Sequence, residues 1–258
     1  GVVPTEAGRR YHEQIAAALQ MIERATAQVD VNAVDGPLTV STPRSFADHW
    51  LVTRLASLND TLPGLALTLD ADSALADLRD GQADVGLRFG QGHYPGLHSE
   101  FLCSDAVTVV APAELVQRSA NATAGALMQR EVLLADTGVL PGEPWSHWQP
   151  WVREAGLRNR HLLRYLHFSD SGLAARAAAA GTGLCIGRLS VVHDLLERRE
   201  LRTLLPWRTT DFAYYLVCRN ADKDNPRIHA FRGWLRSAVA EYAAIARDRY
   251  GLSLLTGA

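Results

Sequence analysis

The sequence contains few cysteines, little lysine and no long apolar runs. Its three cysteines, Cys103, Cys185 and Cys218, lie far apart, and this odd, scattered set predicts neither a disulfide framework nor a CxxC metal site. Each cysteine lies in an apolar stretch, so we expect buried, reduced thiols, with redox sensing as the alternative. No stretch approaches ~18 consecutive apolar residues, and the sequence therefore predicts no transmembrane helix.

The charge of the chain is close to balanced. The sequence has 26 Lys and Arg against 28 Asp and Glu, a net charge of −2, and Lys223 is its single lysine. This balance lacks the basic surface that is typical of nucleic-acid binding. The 258 residues, 47% of them hydrophobic, predict one large or two modest domains with a real core. The chain starts at Gly1 without an initiator Met or an apolar signal region, so we expect a processed or partial cytoplasmic chain.

Residues 5–30 predict a long amphipathic helix that is separate from the rest of the chain. Ile15, Ile22 and Val29 recur every seven residues and Leu19 flanks them, which gives a narrow apolar stripe on an otherwise polar helix. An isolated helix of this kind is marginal in water. We therefore expect the stripe to be buried, either on a second copy of the same helix or on the chain's own domain.

From residue 38 onward, strand and helix patterns alternate. The predicted strands are 38–42, 65–69, 84–89, 107–111, 132–134, 162–168, 184–186 and 212–218. The predicted helices are 46–58, 73–80, 145–155, 170–180, 191–199 and 226–247. Two such series of strands and helices imply an α/β fold in which helices cover two parallel-type sheets.

No stretch of the sequence carries a catalytic or metal-binding motif. It has no GxSxG, no HExxH and no P-loop, and neither His147 nor His193 has a partner at metal-ligand spacing. Residues 181–187 come near a dinucleotide fingerprint, but their third glycine is one position late and they follow a helix instead of a strand. The sequence therefore predicts no metal, no cofactor and no enzymatic activity.

Polar residues gather where three predicted strands end. Thr42, Arg44 and Ser45 follow the first strand, Arg88 and Gly90 close the third, and Ser169, Asp170 and Ser171 precede the alanine-rich helix. Ligands of open α/β sheets collect beyond the carboxyl ends of the strands, so these groups form a candidate binding cleft. Ordinary helix capping by Ser45 and Asp170 is the alternative. Arg44 and Arg88 suggest an anionic ligand, unless they form ion pairs with Asp48 or Asp84.

Several stretches together resemble the LysR-type transcriptional regulators. Residues 3–10 (VPTEAGRR) are similar to the segment that opens the linker helix of that family, and residues 36–41 (GPLTVS) to the start of its effector-binding domain. Residues 78–90 (LRDGQADVGLRFG) resemble its L-x-x-G-x-x-D stretch, and residues 178–188 (AAAGTGLCIGR) resemble its A-A-x-G-x-G segment. Shorter similarities lie at 63–65 and 231–235. The details are most similar to the branch that contains glycine-cleavage and β-lactamase activators.

This resemblance implies a periplasmic-binding-protein-like (type II) fold of two subdomains, preceded by a long linker helix. The implied units are a linker and dimerisation helix at 1–35, subdomain I at 36–110 plus 218–258, and subdomain II at 111–217. The strands 107–111 and 212–218 would cross between the subdomains, and a small effector would bind between them. The candidate effector-binding residues are Thr42, Arg44, Ser45, Phe46, Arg88, Phe89, Gly90, Ser169, Asp170, Ser171 and Tyr214.

The resemblance also implies the partners of the chain. A LysR-type regulator would assemble as a homodimer or homotetramer through the stripe of Ile15, Leu19, Ile22 and Val29, and it would act with RNA polymerase. It would bind DNA through an N-terminal winged helix-turn-helix, which this sequence lacks. A stand-alone solute-binding protein is the alternative function, since it shares the fold, and an enzyme on the same scaffold is a third.

Overall fold

The computed structural model describes residues 3–27, 34–71, 76–138, 142–157 and 163–257. Within these ranges no helix is both long enough and apolar enough to cross a membrane. The strands are β1 Gly36–Ser41, β2 Leu65–Asp70, β3 Val85–Gly90, β4 Leu97–Pro112, β5 Val132–Asp136, β6 Arg164–Phe168, β7 Leu184–Arg188, β8 Leu201–Thr203 and β9 Arg208–Arg219. The helices are α1 Glu6–Ala27, α2 Arg44–Phe46, α3 Leu55–Thr61, α4 Ala113–Arg118, α5 Ala124–Arg130, α6 Trp148–Glu154, α7 Ser171–Ala179, α8 Leu189–Glu197 and α9 Pro226–Tyr250.

The described strands form one mixed sheet in the order β2-β1-β3-β9-β4-β7-β5-β6, with β8 paired to β4. The pairs of β1 with β2 and β3 are parallel, as are the pairs of β5 with β6 and β7. Antiparallel pairs link β3 to β9, β9 to β4 and β4 to β7. The two predicted parallel sheets are therefore present, but two antiparallel strands join them into one.

These two joining strands, β4 and β9, contain the predicted crossover strands. They pair from Leu97 opposite Arg219 to Val107 opposite Arg208, with register shifts between Phe101 and Cys103 and between Ser104 and Ala106. The C-terminal segment lies over the second shift, where the backbone N–H of Ser104 donates to the carbonyl oxygen of Leu255 at 2.9 Å. The placement of the subdomain boundaries at 110/111 and 217/218 stays a prediction.

Separate groups of buried side chains fill the two ends of the sheet. At one end, Trp50 and Tyr242 belong to a cluster that packs α9 against β1, β3 and β9. At the other end, Leu133 and Leu134 belong to two different clusters, because successive residues of a strand point to opposite faces. All three cysteines are buried and free, as the sequence predicted.

Several predicted elements differ from the observed ones. Residues 76–80 of the predicted helix 73–80 lie in irregular and turn structure, and residues 73–75 are outside the described part of the chain. The predicted helix 46–58 belongs to a helical stretch whose middle is a π-helix, Ala47–Leu51, and a 3₁₀ turn, Val52–Arg54. The predictions missed α4, α5, β8 and the first half of β4.

Helix α1 presents the predicted apolar stripe to solvent in this single chain. The exposed fractions of Ile15, Leu19 and Ile22 are 42%, 55% and 61%, and Val29 lies outside the described residues. These three side chains of the stripe are therefore not buried on the chain's own sheet. Burial of the stripe on a second copy of the helix stays a prediction.

Candidate functional site

A small cavity lies at the carboxyl ends of the parallel strands β5 and β7, beside the start of α7. Its volume is about 50 Å³, and its lining residues are Leu134, Asp136, Gly138, Glu143, Ser146, Ser171, Ala174, Ile186 and Arg188. Asp136 and Arg188 are the last residues of their strands. The position agrees with the rule that ligands of α/β sheets bind beyond the carboxyl ends of the strands.

Arg188 is the central residue of this site. Its Nη2 donates to the hydroxyl of Ser171 at 2.9 Å and to that of Ser45 at 3.4 Å. Its guanidinium lies 4.4 Å from the ring centroid of Phe89, a cation–π distance. Ser45 and Phe89 belong to the first half of the sheet and Ser171 to the second. One side chain therefore joins three of the residues that the sequence predicted as a binding cleft.

Two carboxylates share the cavity with Arg188. Glu143 is only 2% exposed, and its Oε1 has no hydrogen-bond partner among the described residues. Burial raises the pKa of Asp136, although the backbone N–H of Gly138 donates to its carboxylate at 2.8 Å. Neither carboxylate forms an ion pair with Arg188 within the described part of the chain. The cavity therefore offers separate positive and negative groups.

The electrostatic environment of Arg188 favours its charged form. Burial alone would lower its pKa, but Tyr214, Glu143, Asp105 and Asp136 surround it, and their combined effect raises the pKa. Because guanidinium is always charged in proteins, the practical consequence is a fixed positive charge in a largely desolvated place. Such a charge binds an anionic group more strongly than an exposed arginine does.

A buried hydrogen-bond network lies behind Arg188. Asp105, which is fully buried in β4, accepts from the hydroxyl of Ser190 at 2.6 Å, and the Ser190 hydroxyl lies 2.9 Å from that of Tyr214. Burial raises the pKa of Asp105 to about 6, against the hydrogen bonds from Ser190 and the charge of Arg188. The rings of Phe46 and Tyr214 stack at 4.1 Å. Tyr214 thus faces this network, beneath the cleft.

Other predicted site residues have structural roles that explain them without a ligand. Arg88 is buried and donates to the carbonyl oxygens of Ser41 at 2.8 Å, Leu87 at 3.0 Å and Ala76 at 3.0 Å. Arg44 is exposed and lies 3.8 Å from Asp48, the ion pair that the sequence offered as the alternative.

Four further predicted residues form no hydrogen bond or ion pair with Arg188 within the described part of the chain. Asp170 caps α7 by accepting from the backbone N–H of Gly172 at 2.8 Å. Ser169 is exposed, and Gly90 is buried at the end of β3. Thr42 is buried, and its hydroxyl has no hydrogen-bond partner among the described residues. The role of these four residues in ligand binding stays a prediction.

Sequence reasoning missed five residues of the site. They are Asp105, Asp136, Glu143, Arg188 and Ser190. The rule that selected Arg88, a charged residue at the end of an apolar strand, applies equally to Asp136 and Arg188 and would have found both. Glu143 and Asp105 carry no local signal, because their burial depends on the packing of distant segments.

Comparison with known proteins places this geometry in a family. The sequence model described as "LysR substrate binding domain" matches residues 32–240. The chain is 28% identical over 249 residues to the glycine cleavage system transcriptional activator of Escherichia coli, covering 95% of this chain and 79% of that protein. It is also 28% identical over 238 residues to the AhcY transcriptional activator HvrB of Rhodobacter capsulatus, covering 90% of this chain and 77% of that protein.

Solved structures show the same architecture. The effector domain of the transcriptional regulator AmpR of Pseudomonas aeruginosa superposes with a TM-score of 0.67 at 23% identity, covering 81% of this chain and 98% of that one. The fold is thus the periplasmic-binding-protein-like type II fold of LysR effector-binding domains, as predicted. With the match over residues 32–240, the chain belongs to the LysR substrate-binding domain family, the sensing part of LysR-type transcriptional regulators.

Proposed function

We propose that this chain senses a small-molecule effector in the cleft around Arg188 and transmits its presence to a DNA-binding segment. The two lobes of the sensor are residues 36–110 with 218–258, and residues 111–217. The effector binds and leaves unchanged, without catalysis. The regulator works in the cytoplasm, reaches DNA through the winged helix-turn-helix that the family resemblance implies, and acts with RNA polymerase.

The hydrogen bonds of Arg188 carry this proposal. Arg188 extends from β7 of the second lobe, bonds to Ser171 of that lobe and reaches Ser45 and Phe89 of the first. A ligand that competes for this guanidinium changes a contact between the lobes. Such a ligand shifts the balance between two arrangements of the lobes only by its difference in affinity for them. A bridging charge provides that difference.

Most of the other candidate residues belong to the proposed cleft. Ser45, Phe89 and Ser171 surround Arg188, with Tyr214 and Phe46 stacked beneath them. Thr42, Gly90, Ser169 and Asp170 are the further candidate effector-binding residues, whereas Arg44 and Arg88 have the structural contacts described above.

Self-association through α1 is the second part of the proposal. Two copies of the helix would bury the stripe of Ile15, Leu19, Ile22 and Val29 against each other in a homodimer, which is isologous if the pair has two-fold symmetry. Two such dimers would give the homotetramer. The exposure of Ile15, Leu19 and Ile22 in the single chain supports this arrangement.

A thermal-shift screen of small metabolites tests the sensing function, because a ligand of the native state raises the apparent stability. The affinity of any hit is then measured by calorimetry on a variant that combines Ser45→Ala with Tyr214→Phe, and on Ser171→Ala. We expect weaker binding with an intact fold. Ser237→Ala, an exposed serine of α9, is the matched control. Unchanged affinity in all the cleft variants would refute the site.

A further inference from the structure

We propose that the effector is a compact amphoteric molecule that carries both a carboxylate and an ammonium group. This inference rests on the proposed function, since it assigns a ligand class to the same cleft. It replaces the anionic ligand that Arg44 and Arg88 suggested. The chemistry of the cavity lining, with one cation and two acidic groups held apart, carries the argument.

The acidic side of the cavity requires a donor. Glu143 lines the cavity, and only 2% of it is exposed. Its Oε1 has no hydrogen-bond partner among the described residues. A buried carboxylate oxygen without a donor is costly. Asp136 lines the same cavity, and among the described residues its carboxylate accepts a hydrogen bond from the backbone N–H of Gly138. An ammonium group supplies three donors and a positive charge to this side.

The basic side of the cavity requires an acceptor. Arg188 donates Nη2 to two neutral hydroxyls, and its Nε is buried without a partner among the described residues. Guanidinium forms its strongest hydrogen bonds with carboxylates and phosphates. A ligand carboxylate would therefore be held at Arg188. A purely anionic ligand would meet the two carboxylates as well, and like charges in a desolvated space repel each other.

The size of the cavity favours a small molecule. Its volume is about 50 Å³, whereas one water needs roughly 10–15 Å³ on the same measure. In this conformation the cavity therefore has room for a ligand of a few non-hydrogen atoms. A carboxylate and an ammonium group separated by one or two carbons match both the size and the separated charges.

Calorimetry on the purified 258-residue chain tests this proposal with matched probes. Glycine, β-alanine and both enantiomers of alanine carry the two charged groups. Propionate is alanine without its ammonium group, and ethylamine is alanine without its carboxylate; acetate and methylamine are the same pair for glycine. We expect at least one amino acid to bind about 10- to 100-fold more tightly than its two matched analogues, because each lost charge-assisted contact reduces the affinity by that order.

Charge-removing variants separate recognition from general damage to the site. Glu143→Gln keeps the shape of the side chain and should lower the affinity for the amino acid about tenfold while leaving that for propionate unchanged or higher. Glu114→Gln, an exposed glutamate of α4 in the same lobe, should change neither. A structural role of Glu143 would lower both affinities in parallel, so the ratio of the two is the decisive measurement.

The outcomes distinguish this proposal from the function on which it rests. Binding of propionate or acetate as tight as that of the amino acids, or a ratio that Glu143→Gln leaves unchanged, overturns the amphoteric ligand and keeps the sensor. The same holds if none of the probes binds but the metabolite screen gives a hit that lacks an ammonium or a carboxylate group and whose binding the cleft variants weaken. The absence of any hit in both experiments overturns the proposed function itself.

Discussion

The hydroxyl of Ser190 donates a 2.6 Å hydrogen bond to the carboxylate of Asp105, and this bond joins the strand β4 to the helix α8. Both groups are buried. The backbone N–H of Ala106 donates to the same carboxylate at 2.8 Å. Asp105 thus lies at the register shift between Ser104 and Ala106, just before β4 begins its pairing with β7 at Val107.

Asp105 should make the stability of the chain fall as the pH rises from about 4 to about 7. Burial raises its pKa from 3.8 to about 6 in the folded state, so the folded state binds the proton more tightly than the unfolded state does. The stability that this provides is complete below pH 4 and is lost as the pH rises through 6. The expected loss is about 3 kcal/mol.

Urea unfolding at several pH values checks this expectation with Asp105→Asn, which cannot titrate. The unchanged chain should lose stability between pH 4 and pH 7, whereas the variant should not. The difference between their free energies of unfolding, variant minus unchanged chain, should therefore increase by about 3 kcal/mol over this range. Asp77→Asn, an exposed position, serves as the control and should follow the unchanged chain. Parallel pH profiles of the unchanged chain and Asp105→Asn would contradict the assignment.

Replacing Arg188 by Met should destabilise the fold by about 3 kcal/mol near pH 7. The variant leaves Asp105 without a neighbouring cation that lowers its pKa, and it removes the hydrogen bond to Ser171. The pH at which stability is lost should also move upward. Chemical denaturation measures both effects. Arg202→Met, an exposed arginine of β8, is the matched control, and an equal loss in the two variants would show that the charge environment plays no part.

Arg88 should prove to be a structural residue instead of a ligand-binding one. Arg88→Met leaves the carbonyl oxygens of Ser41 and Ala76 without their donor, and we expect a loss of about 2–4 kcal/mol in the free energy of unfolding. The control Arg79→Met removes an exposed arginine that donates to the carbonyl of Pro95 and should change stability by less than about 1 kcal/mol.

The relation of Arg88 to the ligand is checked in the same variant. At a temperature well below its unfolding midpoint, Arg88→Met should retain the ligand selectivity of the unchanged chain, as measured by calorimetry. A selective loss of ligand affinity in a folded, normally stable Arg88→Met variant would show instead that Arg88 belongs to the binding site.

Replacing Ile22 by Asp should weaken self-association by about 2 kcal/mol or more, because it places a charge in the interface that α1 would form. The expected result in sedimentation is a shift from dimer toward monomer at micromolar concentration. Gln14→Asp introduces the same side chain about 100° around the helix from Ile15 and should leave the assembly intact. An unchanged mass for Ile22→Asp would refute the role of the stripe.

The predictable part of the fold is the part whose burial follows from local apolarity. Strands such as β3 and β7 are apolar runs, and the alternation with helices predicted them. The first half of β4 was not predicted, because His98, Ser99 and Glu100 are polar. Glu100 is held there by Arg232 at 3.0 Å and Arg236 at 2.6 Å from α9. Ion pairs between segments more than a hundred residues apart leave no periodic signal in the sequence.

The candidate site, like the fold, could be predicted from the sequence only in part. The position of Ser45 and Ser171 beyond strand ends and the family resemblance at Phe89 predicted that the three would lie together, and in the structure all three contact Arg188. The sequence does not distinguish Arg188 from Arg88, since both close an apolar strand. The two arginines differ in their hydrogen-bond partners: the guanidinium of Arg88 already donates to backbone carbonyl oxygens such as that of Ser41. That depends on the turn of the chain around it, which only the folded structure shows.

The pairing of β4 with β9 has a mechanical consequence. Because the two strands are hydrogen-bonded to each other across the junction, sliding one lobe past the other would break a ladder of backbone bonds, whereas flexing the two-stranded ribbon preserves it. In the proposed two-lobe sensor, this pairing therefore favours opening and twisting of the lobes about the ribbon as an axis. A ligand only a few atoms in size, held close to that axis, can therefore produce a displacement that grows with distance toward the far ends of both lobes.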